Sequence, residues 1–208
     1  MAEKLSGTPL SNPNAIINNQ YCVPYAIDLA VVRKVLTLDD GNFVILDVTG
    51  HMIFKVKEIL PTFVHDRKHI IDVTGKTIVT LRRKAMTAHS RWQVFRGESI
   101  DTNDLIFNAK THSIVHFKTN LDVFLANNSE EKECNFKVRG SYLERSCTIF
   151  AGAGDENSTA IVAQMHKKHT SQSILLGKDN FMVTVQPNVD FAFIVALIVI
   201  LDDINHKG

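Results

Sequence analysis

The chain has 208 residues, 45% of them hydrophobic and 22% charged, with a formal net charge of +1. That composition suits a globular chain long enough to bury a substantial core. The near-zero charge argues against a bulk nucleic-acid binder, which usually needs a strongly basic face.

The opening MAEKLSGTPLSNPN lacks the apolar stretch of a secretory leader, has no Gly at position 2, and is matched by no prenylation box at the other end. Residues 1–20, rich in Ser, Asn and Pro, are expected to form a flexible tail ahead of a single domain over 21–208. From there the chain reads as short strands. Phe43 to Val48 and Met52 to Lys57 flank a Thr49-Gly50 turn, with Met52, Phe54 and Val56 expected inward and Lys55 and Lys57 toward water. The device returns at His69 to Val73, Thr74-Gly75 and Lys76 to Arg82. Asp-Val-Thr-Gly thus occurs twice, at 47–50 and 72–75; each Asp can close the turn and each Gly can take positive φ.

Strand-like segments follow at Leu121–Ala126, Phe136–Arg139, Cys147–Phe150, Ala160–Met165 and Phe181–Val185, separated by polar loops. About a dozen short strands at this spacing predict a barrel or sandwich. Trp92, an alternating strand residue in SRWQVF, is expected in the core. Cys22, Cys134 and Cys147 form no CxxC pair and are expected to be buried, reduced thiols of a cytosolic or nuclear protein.

The chain closes on an unbroken apolar run, FAFIVALIVIL at 191–201, inside a predicted helix over Asp190–Ile204. Such a run reaches about 16 Å as a helix, roughly half of a bilayer's hydrocarbon core, so it does not span one. A helix apolar on every face must be surrounded by protein or lipid. Phe191, Phe193, Ile194, Val195, Leu197, Ile198, Ile200 and Leu201 are therefore expected to plug a wide barrel as its core helix.

Four strings carry a resemblance: TLRRKAMTAHSRWQVFRGES at 80–99, LDVFLANN at 121–128, AQMHKKHT at 163–170 and GKDNFMVTVQPNVDFAFIVALIVILDDIN at 177–205. With them the chain resembles the plant LURP-one-related proteins, relatives of the tubby carboxy-terminal domain and the phospholipid scramblases. The resemblance implies a mainly β fold: a twelve-stranded barrel around a central hydrophobic C-terminal helix. It also implies kinship with membrane-tethered transcription factors and a role in plant defence signalling.

Basic residues suggest where an anion would meet such a barrel. Between Lys55 and Arg96 there are ten Lys or Arg and three acids, a local balance of +7. Arg82, Arg83, Lys84, Arg91 and Arg96 are the candidate contacts for anionic phospholipid headgroups such as phosphoinositides. Strand neighbours point to opposite faces, however, so Arg82 and Arg83 share one only across a turn or bulge. The expected partners are anionic membranes or another protein, with nucleic acid disfavoured. The expected location is cytoplasmic or nuclear, with peripheral attachment to the plasma membrane. A DNA-associated regulator without membrane binding is the second reading, and salt-dependent DNA binding is its signature.

Other chemistry finds little support. The segment from Asp179-Asn180-Phe181 to Asp190 is similar to a proposed calcium-binding stretch of scramblases, but it offers too few carboxylates. His112/His116 and His166/His169 have helix-face spacing in segments that read as strand or loop, so no metal site is expected. No nucleophile elbow, phosphate loop or dinucleotide fingerprint occurs, so neither catalytic residues nor a cofactor are expected.

Overall fold

Two copies of one turn set the pattern of the fold. In the first, Asp47 Oδ1 accepts from the Thr49 N–H, the Thr49 hydroxyl and the His51 N–H at 2.8, 2.6 and 2.9 Å. In the second, Asp72 Oδ1 accepts from the Thr74 N–H, the Thr74 hydroxyl and the Lys76 N–H at 2.9, 2.6 and 3.0 Å. Gly50 and Gly75 take φ of +89° and +86°, as the repeated tetrapeptide requires. Each turn joins two antiparallel strands. Repetition of that up-and-down step, by these and other connections, generates the sheet.

The computed structural model describes residues 15–33, 43–62, 65–84, 91–115, 118–153, 160–167 and 180–206. Among them twelve strands run in chain order: β1 (Ile27–Arg33), β2 (Phe43–Leu46), β3 (Met52–Thr62), β4 (His65–Asp72), β5 (Thr77–Lys84) and β6 (Arg91–Arg96). The rest are β7 (Leu105–Val115), β8 (Lys118–Leu125), β9 (Phe136–Arg139), β10 (Thr148–Ala151), β11 (Ala160–His166) and β12 (Phe181–Val185). Every strand pairs antiparallel with its neighbours in sequence. β1 pairs with β12, closing the barrel and leaving no sheet edge.

Helix α1 (Phe191–His206) fills the bore. Every residue from Phe191 to Ile204 is buried. The inward side chains of the strands, including Leu29, Phe54, Ile70, Val94, Leu121, Val138 and Val183, form one core cluster with it. Phe193 meets Phe107 and Phe136 at 5.2 and 4.8 Å between ring centroids. Burying a large apolar side chain stabilises by ~1.5–3 kcal/mol. The run that no single solvent-facing surface could accept is thus solvated on all sides by sheet.

The helix is anchored where it enters. Asp190 Oδ1 accepts from the N–H groups of Ala192 and Phe193, an N-cap, at 3.0 and 3.1 Å. Its Oδ2 accepts from the N–H groups of Ile16, Ile17 and Asn18 at 3.1, 2.7 and 3.0 Å. Burial pushes the Asp190 carboxyl up, and N–H groups of Ile17, Phe193, Asn18 and Ile16 oppose that rise. Arg96 adds a bond to the Ile17 carbonyl at 3.0 Å. Nearby, the rings of Tyr21, Phe54 and Phe191 lie 5.4–5.8 Å apart.

Two expectations change. The proposed tail divides: residues 1–14 lie outside the described residues, but 15–20 are tied to the barrel because a buried carboxylate needs their N–H groups, and Ile17 is buried. Met52, expected inward with Phe54 and Val56, is 42% exposed. The register shifts between Ile45 and Leu46, so Met52 leaves the inward row before the strand settles into alternation.

Candidate functional site

Strand alternation gives the barrel two faces with different chemistry. Inside, near the end of α1, Asp202 and Asp203 put negative charge at a helix C-terminus, where the helix dipole disfavours it. Cations and donors from the strands and from the β9–β10 connection offset this. Lys68 Nζ lies 2.9 Å from Asp203 Oδ1, and Trp92 Nε1 donates to Asp203 Oδ2 at 3.0 Å. Tyr142 donates its hydroxyl to Asp202 Oδ1 at 2.9 Å, with Arg33 3.7 Å from the same oxygen. Burial and then the Asp202 charge raise the Tyr142 hydroxyl above its ordinary value, so it stays a donor. Trp92 is thus core, as its strand position predicts.

A cavity of about 10 Å³ remains among Lys68, Leu81, Arg83, Trp92, Val199, Ile200 and Asp203, room for about one water. The helix leaves no space there for a small-molecule substrate. The three thiols are unpaired, but only Cys147 is buried as expected, Cys22 and Cys134 being half-buried; desolvation pushes Cys147 up to about 12, Cys22 to about 11, and Cys134 upward as well. A thiol so shifted carries little thiolate at neutral pH.

The outer face is basic. Strand pairing sets Lys84, Arg91, Lys110, Asp122 and Lys137 in one lateral row across β5–β9. A second row, two residues along, runs Arg67, Arg82, Gln93 and Asn108 across β4–β7. The long cationic stems lie over outward aromatic rings, Arg82 over Phe95 at 4.8 Å and Lys110 over Phe124 at 5.0 Å.

Of the five cations singled out by sequence, the sheet therefore brings Arg82, Lys84 and Arg91 to one face. Arg83 points inward, over the Trp92 ring at 5.6 Å, as period-two alternation requires. Arg96 lies at the opposite end of β6 and holds Ile17. Arg67 and Lys110 join the outer face unforeseen. For Arg67 the signal was the alternation in HDRKHIID, once β4 is extended back to His65.

One carboxylate restrains this surface. Glu131, from the β8–β9 loop, takes two bonds from Arg91 at 3.0 and 2.8 Å and also pairs with Lys110. Its backbone adopts φ of +49°, an uncommon conformation for a non-glycine residue. Burial alone would raise its carboxyl, yet hydrogen bonds from Lys110 and Arg91 hold it below its ordinary value. A depressed folded value means that the pairing stabilises the fold above the ordinary value of 4.5 and is lost as pH falls through the folded one. Denaturant unfolding between pH 6 and pH 3 is expected to lose stability less steeply in Glu131→Gln than in the natural chain. Parallel profiles in the two proteins would show that the clamp contributes nothing.

Among the described residues no group of three His, Cys, Asp or Glu is placed to hold a metal ion. His166 is exposed, while the side chains of His112, His116 and His169 lie outside the described residues, as does Asp179. Asp190 has both oxygens engaged by backbone N–H groups, which removes it from any cation site. No helix among the described residues is long and apolar enough to cross a membrane.

Comparisons with known proteins agree with one another. The family model described as LURP-one-related matches residues 27–202. Protein LURP-one-related 15 of Arabidopsis thaliana is 54% identical over 204 residues, covering 97% of this chain and 91% of that protein. Protein LURP-one-related 10 of the same plant is 54% identical, covering 93% and 97%, and Protein LURP1 is 46% identical, covering 96% and 94%. An X-ray structure of a protein from Arabidopsis thaliana, 48% identical, superposes with a TM-score of 0.71 over 92% of this chain and 99% of that one.

Proposed function

The chain belongs to the LURP-one-related family, and on that premise we propose that it is a non-enzymatic domain that docks reversibly on anionic phospholipid headgroups through its basic outer face. The observation that carries this reading is the placement of cations without counterions. Lys57, Arg67, Arg82 and Lys84 have no carboxylate partner among the described residues, whereas Arg91 and Lys110 are occupied by Glu131. Each Lys or Arg near an anionic leaflet contributes about 1 kcal/mol, so four together supply ~4 kcal/mol, a weak and reversible attachment. The filled bore supports the same reading, since it leaves binding to the surface. In a plant cell such a domain acts as an adaptor at the cytoplasmic leaflet. The kinship with scramblases, tubby-like domains and membrane-tethered regulators, and the part in defence, belong to this proposal.

Co-sedimentation with vesicles tests it. The chain is expected to bind phosphatidylcholine vesicles carrying phosphatidylserine and not phosphatidylcholine alone, with binding falling as salt shortens the screening length. Lys84→Glu, at an exposed position, removes one attraction and adds one repulsion, a loss of about tenfold to thirtyfold. Equal binding to both vesicles, or no response to Lys84→Glu, would overturn the proposal. Duplex DNA in a parallel mobility-shift assay separates it from the DNA-associated reading.

A further inference from the structure

Arg67 and Arg82 face one another directly across β4 and β5. Their strand neighbours Lys68, Leu81 and Arg83 line the inner cavity, so alternation places both guanidinium groups outside. One step along the face, Lys57 of β3 is opposite His69 of β4. Like charges directly opposite each other destabilise a sheet, and no carboxylate among the described residues pairs with either arginine. Arg67 Nε is buried and has no hydrogen-bond partner. Arg82 gives one Nη to Gln93 Oε1 at 2.6 Å and lies on the Phe95 ring.

The titrating groups register the excess of positive charge. Burial first, and Arg67 second, lower Arg82. Burial lowers His69 too, reinforced by Arg67 and Lys57 and opposed by Glu98. Buried donors are nearly always satisfied in folded proteins, and one left over calls for a partner such as an ion. The partner that suits two guanidinium groups on one face is a multi-oxygen anion accepting charge-assisted bonds from both.

We propose that Arg67 and Arg82 form a binding site for a phosphate monoester, with Lys57 and His69 beside it. This rests on the headgroup reading above and narrows it to a ligand class. A monoester carries close to two negative charges and three acceptor oxygens at neutral pH, enough to balance both arginines. A phosphodiester or a carboxylate brings one charge and leaves one guanidinium uncompensated. The monoester has two possible sources, a phosphorylated inositol headgroup in a membrane and a soluble phosphate ester.

The experiment uses the full chain, Arg67→Gln, and three probes: a soluble inositol phosphate, phosphatidylcholine vesicles with phosphatidylserine, and the same vesicles with phosphatidylinositol 4-phosphate. The monoester probes are expected to bind the natural chain and to lose about tenfold or more in Arg67→Gln, which removes one charge-assisted fork. Phosphatidylserine binding is expected to change by no more than about the fivefold that one lost surface charge costs. The NMR titration midpoint of the His69 ring is expected to rise on adding the soluble inositol phosphate, in the natural chain and not in the variant. Without ligand, Arg67→Gln is expected to be as stable as the natural chain or more so, because a like-charge pair has been removed. Unchanged monoester affinity in the variant, or a variant that unfolds more easily, overturns the site; persistent phosphatidylserine binding would then leave the broader headgroup reading standing. A shifted His69 with no vesicle binding supports the site with a soluble ligand and overturns the membrane reading. Failure of all probes overturns both.

Discussion

Val195→Asp is expected to yield no folded protein at 25 °C. Val195 is 2% exposed and its neighbour Ala196 is fully buried, midway along a helix surrounded by sheet. A carboxylate there meets no cation and no donor. Even protonated, an unpartnered polar group in an apolar site costs several kcal/mol. Native stability is only about 5–15 kcal/mol in total. Ala196→Asp should behave alike, whereas Leu197→Ala, which only empties space, should cost about 2–5 kcal/mol and leave a folded chain. Circular dichroism and size-exclusion chromatography of the three variants decide the matter. A folded Val195→Asp would mean that the helix is not the barrel's core.

The second large effect is expected at Asp190→Ala. One carboxylate gathers five backbone N–H groups from two parts of the chain more than 170 residues apart. Losing the helix cap alone costs about 0.5–2 kcal/mol, and each buried N–H left unpaired about 1–3 kcal/mol more. A loss of about 4 kcal/mol or greater is therefore expected in urea unfolding. It should come with rapid amide exchange at residues 16–18, while Asp190→Asn, which keeps one acceptor oxygen, should lose roughly half as much. A change under about 1 kcal/mol in Asp190→Ala would show that residues 15–20 hold the barrel by other means.

What made the architecture readable was pattern that acts locally. FAFIVALIVIL has one physical solution in water, and Asp-Val-Thr-Gly encodes its own turn through an Asp oxygen and a glycine of positive φ. The bulge that turns Met52 outward left no such mark, because it arises from the register between two strands. The tie from Asp190 to residues 16–18 was equally hidden: a lone Asp before a helix predicts a cap, and nothing in it names a second set of donors across the molecule. The candidate surface divides the same way. Alternation alone separates Arg82 from Arg83. The meeting of Arg67 with Arg82, and the clamp of Glu131 on Arg91 and Lys110, depend on lateral register and on a loop folding back, which one sequence does not specify.

The helix in the bore is also translated after every strand around it. As the chain leaves the ribosome, the sheet's inward rows emerge with nothing to cover them, since their only apolar complement is still unmade. β12, which seals the barrel against β1, comes just ahead of it. The decisive step in folding this domain therefore waits for α1, and until then holdase chaperones have a defined target: a nearly complete sheet with its apolar inner face open. A frameshift or stop codon anywhere ahead of Phe191 costs the sheet the segment around which its core is built.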